Sequence, residues 1–135
     1  MRKKIVSFLI LLLALFAVPM LQGCIAPDNG DSITENILVS MNNEDYKNFS
    51  QDFSEGLKAK LPEEDFAGVL AATKGTLGDY VVNSKQLKFI SSLDGYGLIY
   101  LAKFVQQGEQ QVYVYLYNKK VIALQIGSFT IYSEP

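Results

Sequence analysis

The sequence contains no histidine and no tryptophan, and it has one cysteine in 135 residues. Without histidine, the usual base near neutral pH and the commonest zinc ligand are both missing. Hydrolases that pair a serine or cysteine nucleophile with a histidine base are excluded. A single cysteine excludes a disulfide within the chain. Positive charge is also scarce beyond the N-terminus. Once Arg2, Lys3 and Lys4 are set aside, nine lysines face fourteen carboxylates, a net charge of about −5. The longest remaining basic run is Lys119-Lys120, which reads as a solvated hairpin tip. Binding of nucleic acid or anionic lipid through a basic patch needs clustered Lys or Arg, and no such cluster is present.

Arg2 to Lys4 form a positive n-region, and Ile5 to Val18 is an apolar run of signal-peptide length, interrupted only by Ser7 and ending just before Pro19. Extended to Leu21 the run reaches about 17 residues, short of the ~20 that span a bilayer, so an uncleaved anchor helix is the weaker alternative. Ordinary secretory cleavage beside an incidental cysteine is the other. Leu21-Gln22-Gly23-Cys24 resembles the lipobox of prokaryotic lipoproteins. Leu21, Gly23 and Cys24 match its apolar, small and cysteine positions, and Gln22 departs from the usual residue at its place. The resemblance implies cleavage after Gly23 and acylation of Cys24. Stable anchoring takes two acyl chains, which a diacylglyceryl group supplies. The chain then divides into a leader at 1–23, a lipidated tether at 24–31 and one domain at 32–135. About 112 residues remain after cleavage, enough to bury roughly 65% of the surface that the unfolded chain exposes.

The first half of the domain reads as helices. Ser32 and Glu35 have the spacing of a capping box ahead of Ile33, Ile37, Leu38 and Met41, which predicts a helix over 32–41. Asn42 is the expected cap of a second helix carrying Tyr46 and Phe49, and Ser54 of a third carrying Leu57 and Leu61. Pro62 followed by Glu63-Glu64-Asp65 starts a fourth, with acids at the positive end of its dipole and an end expected near 73–75. Asn48-Phe49-Ser50 fits an N-glycosylation sequon.

From Gly78 the period becomes two. A short strand or strand entry is expected over 79–83 and strands over 86–93, 96–106, 110–117 and 120–132, with Asp94-Gly95 as a type I′ turn. Consecutive hairpins give an antiparallel meander, and helices before strands give an α+β fold. Val112, Val114 and Leu116 alternate with Tyr113, Tyr115 and Tyr117. Leu98, Tyr100, Ala102 and Phe104 alternate with Ile99, Leu101 and Val105. So few charges interrupt these faces that both are expected to be covered at least in part. Tyr113, Tyr115, Tyr117, Tyr100 and Phe104 are the candidate ligand or interface residues. Tyrosine marks both cross-strand pairing and interface cores.

Asn43-Glu44-Asp45-Tyr46-Lys47-Asn48-Phe49-Ser50, Asp52-Phe53-Ser54-Glu55-Gly56-Leu57-Lys58, Phe66 and Gly75-Thr76-Leu77-Gly78-Asp79-Tyr80 resemble the domain-of-unknown-function 3887 type. That type is similar in fold to the nuclear transport factor 2-like, cystatin-like α+β cones. The resemblance covers about 32–132, and its motifs are structural. It implies a curved sheet of four to five strands packed by the helices, a cone mouth between them, and a convex face that relatives use for dimerisation. Enzymes of the fold, the ketosteroid-isomerase and dehydratase members, need an acid or base with an oxyanion donor. Here that would fall to Asp79 with Tyr80, plus Tyr96 or Tyr100.

The expectation is a membrane-anchored extracytoplasmic lipoprotein without cofactor or metal. Its domain would bind a small apolar ligand or peptide without catalysis, or else dimerise or dock on an envelope partner through its tyrosines.

Overall fold

The structure is a computed structural model that describes residues 26–132. The leader and Cys24 lie outside the described residues. Residues 26–31, expected as tether, are instead packed into the fold. Ala26 is 3% exposed, and Pro27–Asn29 make one 3-10 turn. Helix α1 (Gly30–Asn42) then begins two residues before the expected Ser32 cap. Close approach explains the difference: a Cβ on Gly30 would collide with the Leu98 side chain and lie 3.1 Å from the Ala26 Cβ. Glycine lets the start of α1 lie directly on the sheet. The capping box is therefore not made, and Ser32 and Glu35 sit inside the helix.

Helix α1 buries Ile33, Ile37, Leu38 and Met41, the stripe read from the spacing. The cap of α2 (Tyr46–Phe49) is Asp45 rather than Asn42; its carboxylate accepts from the Asn48 N–H at 3.2 Å. Ser54 caps α3 (Glu55–Lys60) as expected, accepting from the Leu57 N–H at 3.1 Å. Helix α4 (Glu63–Leu77) follows Pro62 and buries Phe66, Val69, Leu70, Thr73 and Leu77. It runs past the expected end because Gly75 fits the helix and Gly78, at φ 81°, is the residue that turns the chain.

Five strands, β1 (Gln86–Ser91), β2 (Tyr96–Phe104), β3 (Gly108–Tyr117), β4 (Lys120–Ile126) and β5 (Phe129–Tyr132), form one antiparallel sheet in chain order. The strand expected over 79–83 shrinks to a single bridge between Tyr80 and Phe104. The strand expected over 120–132 is cut in two by a turn at Gly127-Ser128, where Gly127 takes φ 57°. Asn118 and Lys119 are both left-handed, at φ 49° and 62°, as a type I′ hairpin requires. At Asp94-Gly95 only Asp94 is left-handed, at φ 60°, so that turn is not type I′ and the loop widens to 92–95. Gly95 is needed there for space, since a Cβ on it would strike the Leu116 carbonyl oxygen.

The architecture is α+β, with a curved, open meander and the helices packed on one of its faces. Leu98, Tyr100, Val112, Val114, Leu116, Leu124 and Ile126 on that inner face join α1, α3 and α4 in one core. The void beside Leu38, Met41, Thr73 and Phe104 holds about 10 Å³, the room of about one water.

Candidate functional site

The outer face is where the aromatic residues gather at the surface. Strand register aligns Phe89, Ile99, Tyr113, Gln125 and Thr130 in one row, and Ser91, Gly97, Tyr115, Ala123 and Tyr132 in the next. Phe89 is 58% exposed, Tyr117 40% and Tyr132 63%, while Tyr113 and Tyr115 are half-buried. Both faces were expected to be covered. Among the described residues the helices bury only the inner one, because their apolar stripes are all used in a single core.

The half-burial of Tyr113 and Tyr115 has a local cause. A Cβ on Gly97 would lie 3.2 Å from the Tyr113 hydroxyl and 3.3 Å from its ring. A Cβ on Gly95 would lie 3.2 Å from the Tyr115 hydroxyl. Each tyrosine thus leans over a glycine and covers backbone that the glycine leaves bare. The Tyr115 hydroxyl also donates to the Leu93 carbonyl at 2.7 Å, tying the 92–95 loop to β3. Burial, and then the neighbouring Tyr115, push the Tyr113 phenol above its ordinary range.

The five aromatic candidates therefore fall on opposite faces. Tyr113, Tyr115 and Tyr117 lie outside, whereas Tyr100 and Phe104 point into the core at 0% and 5% exposure. The Tyr100 hydroxyl donates to Asp31 at 2.7 Å. Burial, and then that hydrogen bond, drive its pKa far above the usual tyrosine range. Asp31 also accepts from the Ala26 N–H at 3.3 Å, so this pair fastens the first turn to the sheet.

The residues considered for acid–base work do not converge. Asp79 pairs with Lys74 at 3.6 Å with its carboxylate over half exposed. Tyr96 packs against the core edge. Tyr80 donates to Glu35 at 2.8 Å, and burial followed by that bond raises its pKa to about 12. Glu35 also accepts from the Asn83 N–H at 2.9 Å and pairs with Lys85 at 3.1 Å. Burial works to raise the Glu35 pKa, but Asn83, Tyr80 and Lys85 together outweigh it and hold the carboxyl below its ordinary value. A carboxylate kept ionised by three donors is suited to holding a loop, not to giving up a proton.

Several anchoring residues carry sequence signals that point elsewhere. Glu35 has the spacing of a cap, and Asn42 looks like a helix start. Asn42 instead exchanges two hydrogen bonds with the Tyr80 backbone, both at 2.8 Å, and fixes the entry to the sheet. Such pairs join positions 38 residues apart and leave no local pattern. In the sequon, the Asn48 side-chain amide donates to Asp45 at 2.6 Å, so it is engaged in the α2 cap.

Surface grooves flank the sheet among the described residues. An open one of about 480 Å³ runs along α1 past Asp31, Glu35 and Lys85. Another, of about 330 Å³, lies between α3 and the β3–β4 turn and is walled by Phe53, Gly56, Tyr117 and Ile122. No family model, curated protein or solved structure matches the chain.

Proposed function

We propose that the chain is an extracytoplasmic lipoprotein, held in the cell membrane through acylated Cys24. Its domain is a non-catalytic binding module that docks a polypeptide partner on the open face of the sheet. One contrast carries this reading. The inner face is packed under the helices, with Leu98, Tyr100, Val112, Val114 and Leu116 fully buried, while the opposite face presents Phe89, Tyr113, Tyr115, Tyr117 and Tyr132. Tyrosines with few charges between them make a surface that is apolar along the ring and polar at the tip, as interface cores are. The leader and the lipobox-like Leu21-Gln22-Gly23-Cys24 support the address. Among the described residues no helix is long and apolar enough to cross a membrane.

The double variant Phe89→Glu, Tyr117→Glu tests the docking. Both side chains are substantially exposed and neither covers a glycine, so the fold should survive, as circular dichroism would show. In mild detergent the wild type is expected to run in an assembly larger than one lipidated chain, and the variant as a single chain. Equal sizes for the two proteins would refute docking on this face.

A small apolar ligand or peptide is the second reading, favoured by the 330 Å³ groove at Phe53, Tyr117 and Ile122. It predicts a rise in melting temperature with a fatty-acyl or peptide pool. A flat response across both pools would count against it.

A further inference from the structure

We infer that the 92–95 loop is a second membrane contact, which seats the domain with Leu93 in the lipid interface around the acyl anchor. The proposal rests on the acylation of Cys24 put forward above. It begins with where the chain enters the fold. Ala26 is already buried, and two residues of backbone span at most about 7 Å from Cys24. The lipid attachment point therefore cannot stray far from the start of α1.

That start is fixed at one end of the sheet. The Gly30 backbone lies against the Leu98 side chain, and a Cβ on it would be 3.5 Å from Leu116. Leu98 and Leu116 belong to the ends of β2 and β3 that meet the 92–95 loop and the Asn118-Lys119 turn, because Tyr96 pairs with Leu116. The other two hairpin connections, at 105–107 and 127–128, lie at the far end of the meander.

At the near end the chain exposes apolar side chains with no use in the core. Leu93 is 82% exposed, Phe89 58% and Ile90 41%. The loop is not loose: the Tyr115 hydroxyl holds the Leu93 carbonyl, and Gly95 packs against the Leu116 carbonyl. A leucine presented on a fixed loop beside a lipid attachment point is placed to enter the headgroup region, and half-buried Tyr96 has the amphipathic ring that such a region favours. Two contacts fix an orientation that one attachment point would leave free. With this end against the lipid, the strands rise away from the bilayer and the tyrosine face looks sideways, open to a partner.

Val105 makes the control. It is 70% exposed on the β2–β3 turn, at the far end of the sheet. The chain has no tryptophan, so Leu93→Trp and Val105→Trp each create a single reporter at a site that is exposed either way. The full lipidated protein would be reconstituted in phosphatidylcholine vesicles, plain or brominated along the acyl chains, and separated by flotation. The Leu93→Trp emission is expected to shift to the blue and to be quenched several-fold more by brominated lipid than that of Val105→Trp. Equal quenching in protein that floats with the vesicles would overturn the seating while leaving the anchor intact. Failure of the protein to float would overturn the anchor, and the seating with it.

Discussion

Val112, Val114 and Leu116 alternate along β3 with Tyr113, Tyr115 and Tyr117, and the two sets meet different surroundings. The first three are fully buried under the helices, and the second three are half-buried or exposed. Tyrosine itself behaves differently on the two faces. Tyr100, inside, spends its hydroxyl on Asp31 and locks the N-terminal turn. Tyr115, outside, spends its hydroxyl on the Leu93 carbonyl and its ring on Gly95. Neither hydroxyl is idle, so a tyrosine count alone does not mark a binding surface. What separates the faces is how much area is left over once these local tasks are met.

The largest expected difference comes from truncating one leucine on each face. Leu124→Ala removes a fully buried side chain from the core and should cost about 2–5 kcal/mol in urea unfolding. Leu101→Ala, on the half-covered outer face, should cost less than about 1.5 kcal/mol, because little area is lost and no enclosed cavity forms. Similar costs would mean that something outside residues 26–132 covers the outer face.

A smaller contrast separates the two tyrosine hydroxyls. Tyr100→Phe leaves Asp31 without its buried donor and should cost about 1.5–3 kcal/mol, as for a hydrogen bond to a charged group. Tyr115→Phe loses a bond that water can replace and should cost about 0.5–1 kcal/mol. Denaturant midpoints of the two variants, measured side by side, would show whether that order holds.

The pH profile reads the same anchors without mutation. Tyr80, Tyr100 and Tyr113 all have pKa values raised above 10.0. Their neutral forms are the ones the fold favours, so the stability they contribute is complete below pH 10 and is lost as the pH rises toward about 12, where Tyr80 titrates. Glu35 is shifted the other way. Its contribution is complete above its ordinary value of 4.5 and is lost as the pH falls through its lower folded value. Melting temperature against pH should therefore fall on both limbs, with Glu35→Gln shrinking the acid one.

The smallest effect should be a gain. Gly68 lies inside α4, and nothing stands within 4 Å of the place a Cβ would occupy. Gly68→Ala should stabilise by about 0.5–1 kcal/mol through helix propensity alone, measured in the same urea series. It touches neither face and so calibrates the other variants.

The parts of this fold that were legible in the sequence rest on short-range periodicity. The i, i+4 stripe of Ile33, Ile37 and Met41 and the strict alternation of β3 give element type and facing directly. The Asn118-Lys119 turn lies where the alternating runs leave it. What stayed hidden depends on contacts between distant residues. Gly30 and Gly95 look like coil and turn formers, yet each is there because another chain segment lies too close for a Cβ. Asn42 and Glu35 look like caps, yet they hold the 80–85 segment. The strand expected at 79–83 gave way to a single bridge because that segment is held by α1 side chains as well as by β2. At the candidate site the tyrosines were visible. That Tyr100 and Phe104 lie behind the sheet from Tyr113, Tyr115 and Tyr117 follows only once the helices choose their face.

The most direct test places a photoreactive phenylalanine analogue at Tyr117 on the open face and, as a control, at exposed Glu64 on α4. Both proteins would be irradiated in intact membranes. A discrete protein adduct from position 117 and none from position 64 is the predicted result. Adducts of equal yield from both positions, or none from position 117, would contradict docking on the open face.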